Sequence, residues 1–440
     1  MKRSYLFYLI VTLFLGSMDV TAQERHLFLP VDSLFTLAEH NSLQLAASRK
    51  KINITEKKTE IEKQEAWLPE IGASASTGYI SNAHVWDNHF NYESTVKMPH
   101  TSMNFDVDAG FTVFNGGKTK NSIEKSELED QIATLDYQKD KESIQLLLLT
   151  KYLNLFTLYN QEKIYHQNIE LAKHRLSNIQ QLIKQGMLTH NDNVRSSLQL
   201  TELNMKLTEI KNDINITNHE LATVIGIPEN TVIDIDSTLY KKAFDVAGIS
   251  FNKRSLPEIE SAAKKIEMAD KQIKIEKGAR LPQLSLYASD AWARPFLYSI
   301  PPVDIYMHYL QAGVRLKYDI GSIYKSKKNI EKARMEKEYV EKEKDWLEQK
   351  AEIESHSAFI KMDEAQEKYD SETESFRLAQ DNYNVVEQKY LNKFAAITDM
   401  LDASTSLLSS QLNLNNARVN IVYRWYNLVK TTGNWEQIKN

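Results

Sequence analysis

The residues in this 440-residue chain that could do chemistry are histidines and paired carboxylates, and their spacing limits what that chemistry could be. His84, His89 and His100 share one segment with Asp87, Trp86, Phe90 and Tyr92. Loop histidines beside a carboxylate can hold a metal ion, but no pair sits at the i, i+4 spacing that places two imidazoles on one helix face, and there is no HExxH. Cysteine is absent, which excludes thiol nucleophiles, Cys-ligated zinc, disulfides and acylation of an N-terminal cysteine. GxSxG, Walker A and GxGxxG motifs are absent too. Glu352 and Glu354 lie in a charged helical run, where solvated faces are the ordinary outcome. Asp106 and Asp108 are two apart, so on a strand both carboxylates share a face, either as an acid–base pair or as part of a wet wall. Asp399 and Asp402 are three apart and share a helix face; near a helix start, carboxylates also offset the positive end of its dipole. No catalytic residue, no metal site and no cofactor is expected. A formal net charge of −5 leaves no nucleic-acid footprint.

The elements that position these residues are unusually long. Lys118 to Gln185 contains neither glycine nor proline, and neither does the stretch between Gly321 and Gly433. Tyr165, Ile169, Ala172, Leu176, Ile179 and Ile183 step by four and three, the period of a coiled-coil seam. Helices this long must bury a stripe against other helices.

Between the helical runs the period changes to two. Ile71, Ala73, Ala75, Thr77 and Tyr79 alternate with Gly72, Ser74, Ser76 and Gly78; Phe105, Val107 and Phe111 alternate with Asp106, Asp108 and Thr112. Later, Leu284, Leu286 and Ala288 alternate with Ser285, Tyr287 and Ser289, and Leu310, Val314 and Leu316 with Gln311, Arg315 and Lys317. About ten residues with one apolar and one polar face suit a tilted membrane strand, with Phe105, Val107, Phe111, Leu310, Val314 and Leu316 toward lipid. Asp106, Asp108, Gln311, Arg315 and Lys317 then face a water-filled lumen. The same alternation would suit a half-buried hairpin of a soluble sheet.

The order is duplicated. Leu68-Pro69 recurs as Leu281-Pro282 and Gly117 as Gly321, and Leu188–Val194 is answered by Ala395–Leu401. The expected division is a signal peptide at 1–22 (basic Lys2 and Arg3, apolar Tyr5 to Leu15, small Val20-Thr21-Ala22); a first repeat at 23–226 with a hairpin at 70–115 and long helices at 118–225; a lateral segment at 227–256; a second repeat at 257–430 with a hairpin at 283–320 and long helices at 322–430; and a tail at 431–440. Four strands cannot close a barrel, and an open edge in lipid leaves backbone groups unpaired. The fold class expected is mostly α with β: a long antiparallel α-helical barrel joined to a transmembrane β-barrel shared between protomers, four strands per chain.

With that plan in view, the chain resembles the TolC-family outer membrane channels, the exit ducts of efflux pumps and type I secretion systems. The resemblance spans nearly the whole mature chain. It is carried by Leu68-Pro69 and Leu281-Pro282, by Phe114-Asn115-Gly116-Gly117 and Tyr318-Asp319-Ile320-Gly321, by Ile397-Thr398-Asp399-Met400-Leu401-Asp402-Ala403, and most of all by the duplicated order. It implies a homotrimer in the outer membrane of a Gram-negative bacterium, in contact with outer membrane lipid and extending into the periplasm. The barrel would have twelve strands, and 227–256 and 431–440 would form an equatorial belt. The implied partners are a periplasmic adaptor and an inner-membrane pump, and the implied activity is passive export. The implied gate is a closed helix tip held by a tyrosine, an arginine and aspartates; Tyr390, Asp399, Asp402 and Asp192 match. The arginine position falls on Ala395, with Lys393 close by as a replacement that lacks the planar fork. Asn41-Ser42 stands where many members have Asn-Pro. A periplasmic coiled-coil adaptor is the rival reading; it accounts for the heptads but not for the strands.

Overall fold

The structure, a computed structural model, describes residues 25–236, 238–239, 249–252 and 256–435. The signal peptide expected at 1–22 lies outside these residues, as do parts of 227–256 and of 431–440. In chain order the elements are β1 (Arg25–Leu29), α1 (Val31–Asn41), α2 (Leu43–Trp67), β2 (Glu70–Tyr79), β3 (Ala83–Trp86), β4 (Tyr92–Val96), β5 (Thr101–Phe114), α3 (Lys118–Lys184), α4 (His190–Ile225), β6 (Thr231–Ile235), α5 (Pro257–Gly278), β7 (Gln283–Arg294), β8 (Met307–Lys317), α6 (Gly321–Leu391) and α7 (Ile397–Thr431). Helices α3 and α6 hold 67 and 71 residues, each about 100 Å of helix at about 1.5 Å per residue.

Two compact units are present, and each draws on both halves of the chain. The first comprises Ser48–Tyr137 and Pro257–Glu348. At its centre is a four-stranded sheet in the order β2-β5-β7-β8, antiparallel throughout. β5 pairs with β7, so the two hairpins merge into one sheet whose free edges are β2 and β8. Where β5 hands over to α3, Gly116 has φ 73°, and a Cβ there would lie 2.3 Å from the Gly278 carbonyl oxygen at the end of α5. Only glycine tolerates both that backbone and that approach. Nearby, the buried Thr59 and Ser126 hydroxyls meet at 2.8 Å, and Lys125 donates to Gln272 at 3.1 Å.

The segment after β2 is more ordered than the expected loop. β3 and β4 pair as a separate two-stranded hairpin, turned by Asp87, whose Oδ1 accepts the backbone N–H groups of His89 and Asn91 at 2.8 and 2.7 Å. Those bonds, with the Asn91 amide on Oδ2, hold the Asp87 carboxyl below its ordinary pKa.

The second unit comprises the described residues of Met1–Ala47, Gln138–Leu256 and Gln349–Asn440. Its core is made of helix stripes: Ile169, Ala172, Leu203 and Leu207 in one cluster, and Ala358, Met362, Ala365, Ile421 and Leu428 in another. A strand not expected from the sequence, β1, pairs in parallel with β6. Tyr152 ties them to α3: its hydroxyl donates to the Leu29 carbonyl at 2.6 Å and accepts the Asp236 N–H at 2.8 Å. Burial pushes this phenol up to about 12. The helical run between Val31 and Trp67 is divided at Ser42, whose backbone is extended. There the Asn41 amide donates to the Ile225 carbonyl at 2.7 Å. Residues 249–252 meet the chain end: Asn252 N–H donates to the Thr432 carbonyl at 2.8 Å and the Asn434 amide to the Ser250 carbonyl at 2.7 Å.

Candidate functional site

The sheet comes first, since its two faces differ in chemistry. Directly paired residues share a face. The register pairs Val107 with Asp290 and Ala73, Phe105 with Trp292, and Phe111 with Leu286; across β8, Leu286 meets Val314, Leu284 meets Leu316 and Asp290 meets Leu310. The other face collects Asp106, Asp108, Ser74, Ser289 and Tyr287 with Gln311, Arg315 and Lys317. There the Arg315 guanidinium sits 4.7 Å from the Tyr287 ring centre and the Gln283 amide donates to Thr112 at 3.2 Å. The register thus places the five polar strand residues on one face and the six apolar ones on the other. It also carries Asp290 and His308, bonded to each other, onto the apolar face, with Trp292 stacked on His308 at 4.2 Å. The alternation read from the sequence ended at Ser289 and did not reach them.

The histidines of the first hairpin have local partners. His84 Nδ1 bonds Thr95 at 3.0 Å, while His100 Nδ1 bonds the Ile80 carbonyl at 3.1 Å and stacks on Tyr79.

Two helix tips lie in the second unit. At the first, α3 ends in a Schellman arrangement: Met187 N–H reaches the Leu182 carbonyl at 2.9 Å, Gly186 N–H reaches Ile183 at 2.9 Å, and Gly186 has φ 73°. Thr189 caps α4, and the Asp192 carboxylate accepts both the Thr189 N–H and its hydroxyl at 2.8 Å. At the second, α6 ends the same way, with Phe394 N–H to Lys389 at 2.7 Å and Lys393 N–H to Tyr390 at 3.0 Å, but the left-handed residue is Lys393, at φ 65°. Ala396 occupies the cap position of α7, and Asp399 accepts its N–H at 3.1 Å. Asp399 and Asp402 are both exposed. Among the described residues Lys393 forms no ion pair, so the lysine beside Ala395 fills a backbone position rather than a salt bridge.

Tyr390 is buried among Ile179, Tyr383, Ile397, Met400, Ala403 and Leu407. Burial raises its pKa, and the Asp192 charge raises it further. Among the described residues its hydroxyl has no hydrogen-bond partner, and neither have Ser196 Oγ and Asn193 Oδ1. The four residues expected at the gate therefore divide: Asp192 and Asp399 bond the backbone at their own helix starts, Asp402 is exposed, and Tyr390 is buried with its hydroxyl unpaired.

A residue missed by the sequence reading lies beneath them. Arg175, on α3, is 7% exposed. Its Nη1 donates to Gln199 Oε1 on α4 at 2.9 Å and its Nη2 to Ser404 Oγ on α7 at 3.1 Å. It also lies close enough to the Tyr383 hydroxyl on α6 to pull that pKa down against burial, which raises it. The signal was present in its spacing, three after Ala172 and four before Ile179, both buried.

Among the described residues no helix is long and apolar enough to cross a membrane, a result that does not bear on the strands. Residues 34–227 and 253–434 match the family described as outer membrane efflux protein. No curated protein matches the chain by sequence. Among solved structures, the outer-membrane channel OprN is 15% identical with a TM-score of 0.74, covering 96% of each chain. The outer membrane protein VceC of Vibrio cholerae is 15% identical with a TM-score of 0.72, covering 92% of this chain and 96% of its own. The Campylobacter jejuni CmeC outer membrane channel is 17% identical with a TM-score of 0.71, covering 93% and 88%.

Proposed function

Because the chain belongs to the outer membrane efflux protein family, an outer membrane channel family and not an enzyme family, we propose that three copies form the exit duct of a tripartite efflux pump or type I secretion system. The observation that carries this reading is the sheet. It has one apolar and one polar face, and two free edges, β2 and β8, that have no partner within the chain's own sheet. Three such sheets, each β8 paired with the next β2, close a barrel of twelve strands and leave no edge in lipid. Asp106, Asp108, Gln311, Arg315 and Lys317 then line the lumen, and the described residues of 227–256 and of 431–440 belong to a belt around the helices. The periplasmic partners are an adaptor and an inner-membrane pump.

The gate in this reading lies at the helix tips. Near a threefold axis, Asp399 and Asp402 each become a ring of three carboxylates. Such rings attract cations, repel anions and offer trivalent cations a binding site. Tyr390 and Asp192 flank them. An adaptor built of the same coiled coils would have no use for strands with a mainly apolar face.

The test uses the absence of native cysteine. Single cysteines along Met103–Val113, in protein purified in mild detergent, are treated with an aqueous thiol reagent. Labelling should alternate with period two, strong at 106 and 108 and weak at 105 and 107, in a particle of three times the mature mass. Uniform labelling, or a monomer that conducts in planar bilayers, overturns the reading.

A further inference from the structure

Four helices of the second unit meet around Arg175. The guanidinium holds Gln199 of α4 and Ser404 of α7, and its influence reaches Tyr383 of α6, whose hydroxyl donates to Glu387 at 3.0 Å. Among the described residues no carboxylate pairs with Arg175. A buried cation held only by neutral acceptors is a costly feature, since its desolvation is not offset by a counter-charge.

What lies between Arg175 and the tips makes the position unusual. Asn193, Ser196 and Gln199 follow one another at three-residue spacing on α4, and Tyr383 and Tyr390 are seven apart on α6, so each set lines one stretch of its helix. Gln199 is bonded, but Ser196 Oγ, Asn193 Oδ1 and Tyr390 Oη are buried without partners among the described residues. Beyond Arg175, among the described residues, the side-chain bonds of the tips run within one helix start, Thr189 to Asp192 and Ala396 to Asp399. Among the described residues, the bonds from Arg175 are therefore the ones nearest the tips that join different helices.

We propose that Arg175 is the positioning residue of the gate: its planar fork ties α3 to both α4 and α7 and sets the arrangement of the two tips, in place of the arginine absent at Ala395. The inference rests on the tips being the gate. The guanidinium donates to Gln199 and Ser404 from two separate nitrogens of one rigid plane, whereas an ammonium carries all three of its donors on a single nitrogen at the end of a flexible stem. Releasing it frees α7 from α3 without touching the Asp399 and Asp402 rings.

The test is conductance of the purified full-length protein in planar bilayers, with thermal stability and particle mass measured in parallel. Arg175→Met keeps an unbranched side chain and removes the charge, at a cost in stability from the Gln199 and Ser404 oxygens left without their donor, which the parallel thermal measurement reads. Assembled Arg175→Met should conduct about five- to tenfold more than wild type, the lower end of a typical coupling. Arg175→Lys should behave likewise, because the charge is kept and the fork is lost; Gln199→Met and Ser404→Ala should each give a smaller rise. Wild-type conductance in both assembled Arg175 variants overturns the proposal, as does a wild-type Arg175→Lys beside an altered Arg175→Met, which would assign the effect to charge alone. Should Arg175→Met not assemble, Gln199→Met and Ser404→Ala decide, and wild-type conductance in both overturns it. The gate reading fails separately, if Asp399→Ala with Asp402→Ala leaves ion selectivity unchanged.

Discussion

The two helix tips of this chain are built to one plan with different residues. Gly186 and Lys393 hold the same left-handed position, at φ 73° and 65°. Thr189 and Ala396 hold the same cap position, and Asp192 and Asp399 each accept the cap N–H. The first tip uses the residue types that suit these positions: glycine where φ is positive, threonine at the cap. The second places a β-carbon-bearing residue in the left-handed region and an alanine where a side-chain oxygen belongs. By these two local criteria the second is the less favoured of two matched structures, and it is also the one that carries Tyr390, Asp399 and Asp402. Segments that move in function are drawn from the low-stability end of a fold.

If the difference is functional, removing charge must act unequally at the two tips. If the tips form the proposed gate, Asp399→Ala together with Asp402→Ala should weaken block by trivalent cations by about tenfold or more, with assembly unchanged. Asp192→Ala should change block far less. Bilayer recordings with the blocker on the periplasmic side measure both, and equal effects at the two tips would end the comparison.

Local stability should differ next, and amide exchange on either tip reads it without unfolding the assembly. Gly186→Ala, with open space around the new methyl, should still destabilise the first tip by about 0.5–1 kcal/mol, the left-handed backbone cost less the conformational freedom removed from the unfolded chain. At the caps the expected changes are near 1 kcal/mol and opposite in sign. Thr189→Ala should speed exchange at the start of α4, and Ala396→Thr should slow it at the start of α7. If Ala396→Thr brings no protection, the second tip is not limited by its missing cap.

Much of this organisation was legible in the sequence because it is periodic. Alternation named the two faces of β5 and β8, and the four–three spacing named Ile169, Ala172 and Ile179 as buried. Proline and glycine marked the junctions at Leu68-Pro69 and Gly116-Gly117. What escaped was set by contacts between distant segments. β1 is only five residues long, and its partner β6 lies some 200 residues on. Ser42 breaks a helix that local propensity would continue, at a point where Asn41 bonds the far end of α4. Arg175 sits on the apolar stripe, but a single arginine there reads as an edge residue until its three neighbouring helices are in place. Asp290 and His308 are polar on a face whose period assigns them to lipid, and their pairing appears only once β7 and β8 are in register.

The smallest expected effect is at Lys393, and it separates accident from design. Holding an ordinary residue in the left-handed region costs about 1–2 kcal/mol. Glycine removes that cost but adds conformational freedom to the unfolded chain, worth about 0.5–1 kcal/mol in the other direction. Lys393→Gly should therefore stabilise the second tip by only about 0.5 kcal/mol, the difference of two terms of similar size. Amide exchange over 392–400 should slow by about twofold, since RT is about 0.6 kcal/mol. A second tip made like the first should also open less readily, so conductance should fall slightly while trivalent block is unchanged, because Asp399 and Asp402 remain. Faster exchange with higher conductance would mean that the Lys393 side chain itself holds the closed arrangement through the neighbouring protomers, and the weakness of the second tip would then be offset at that position.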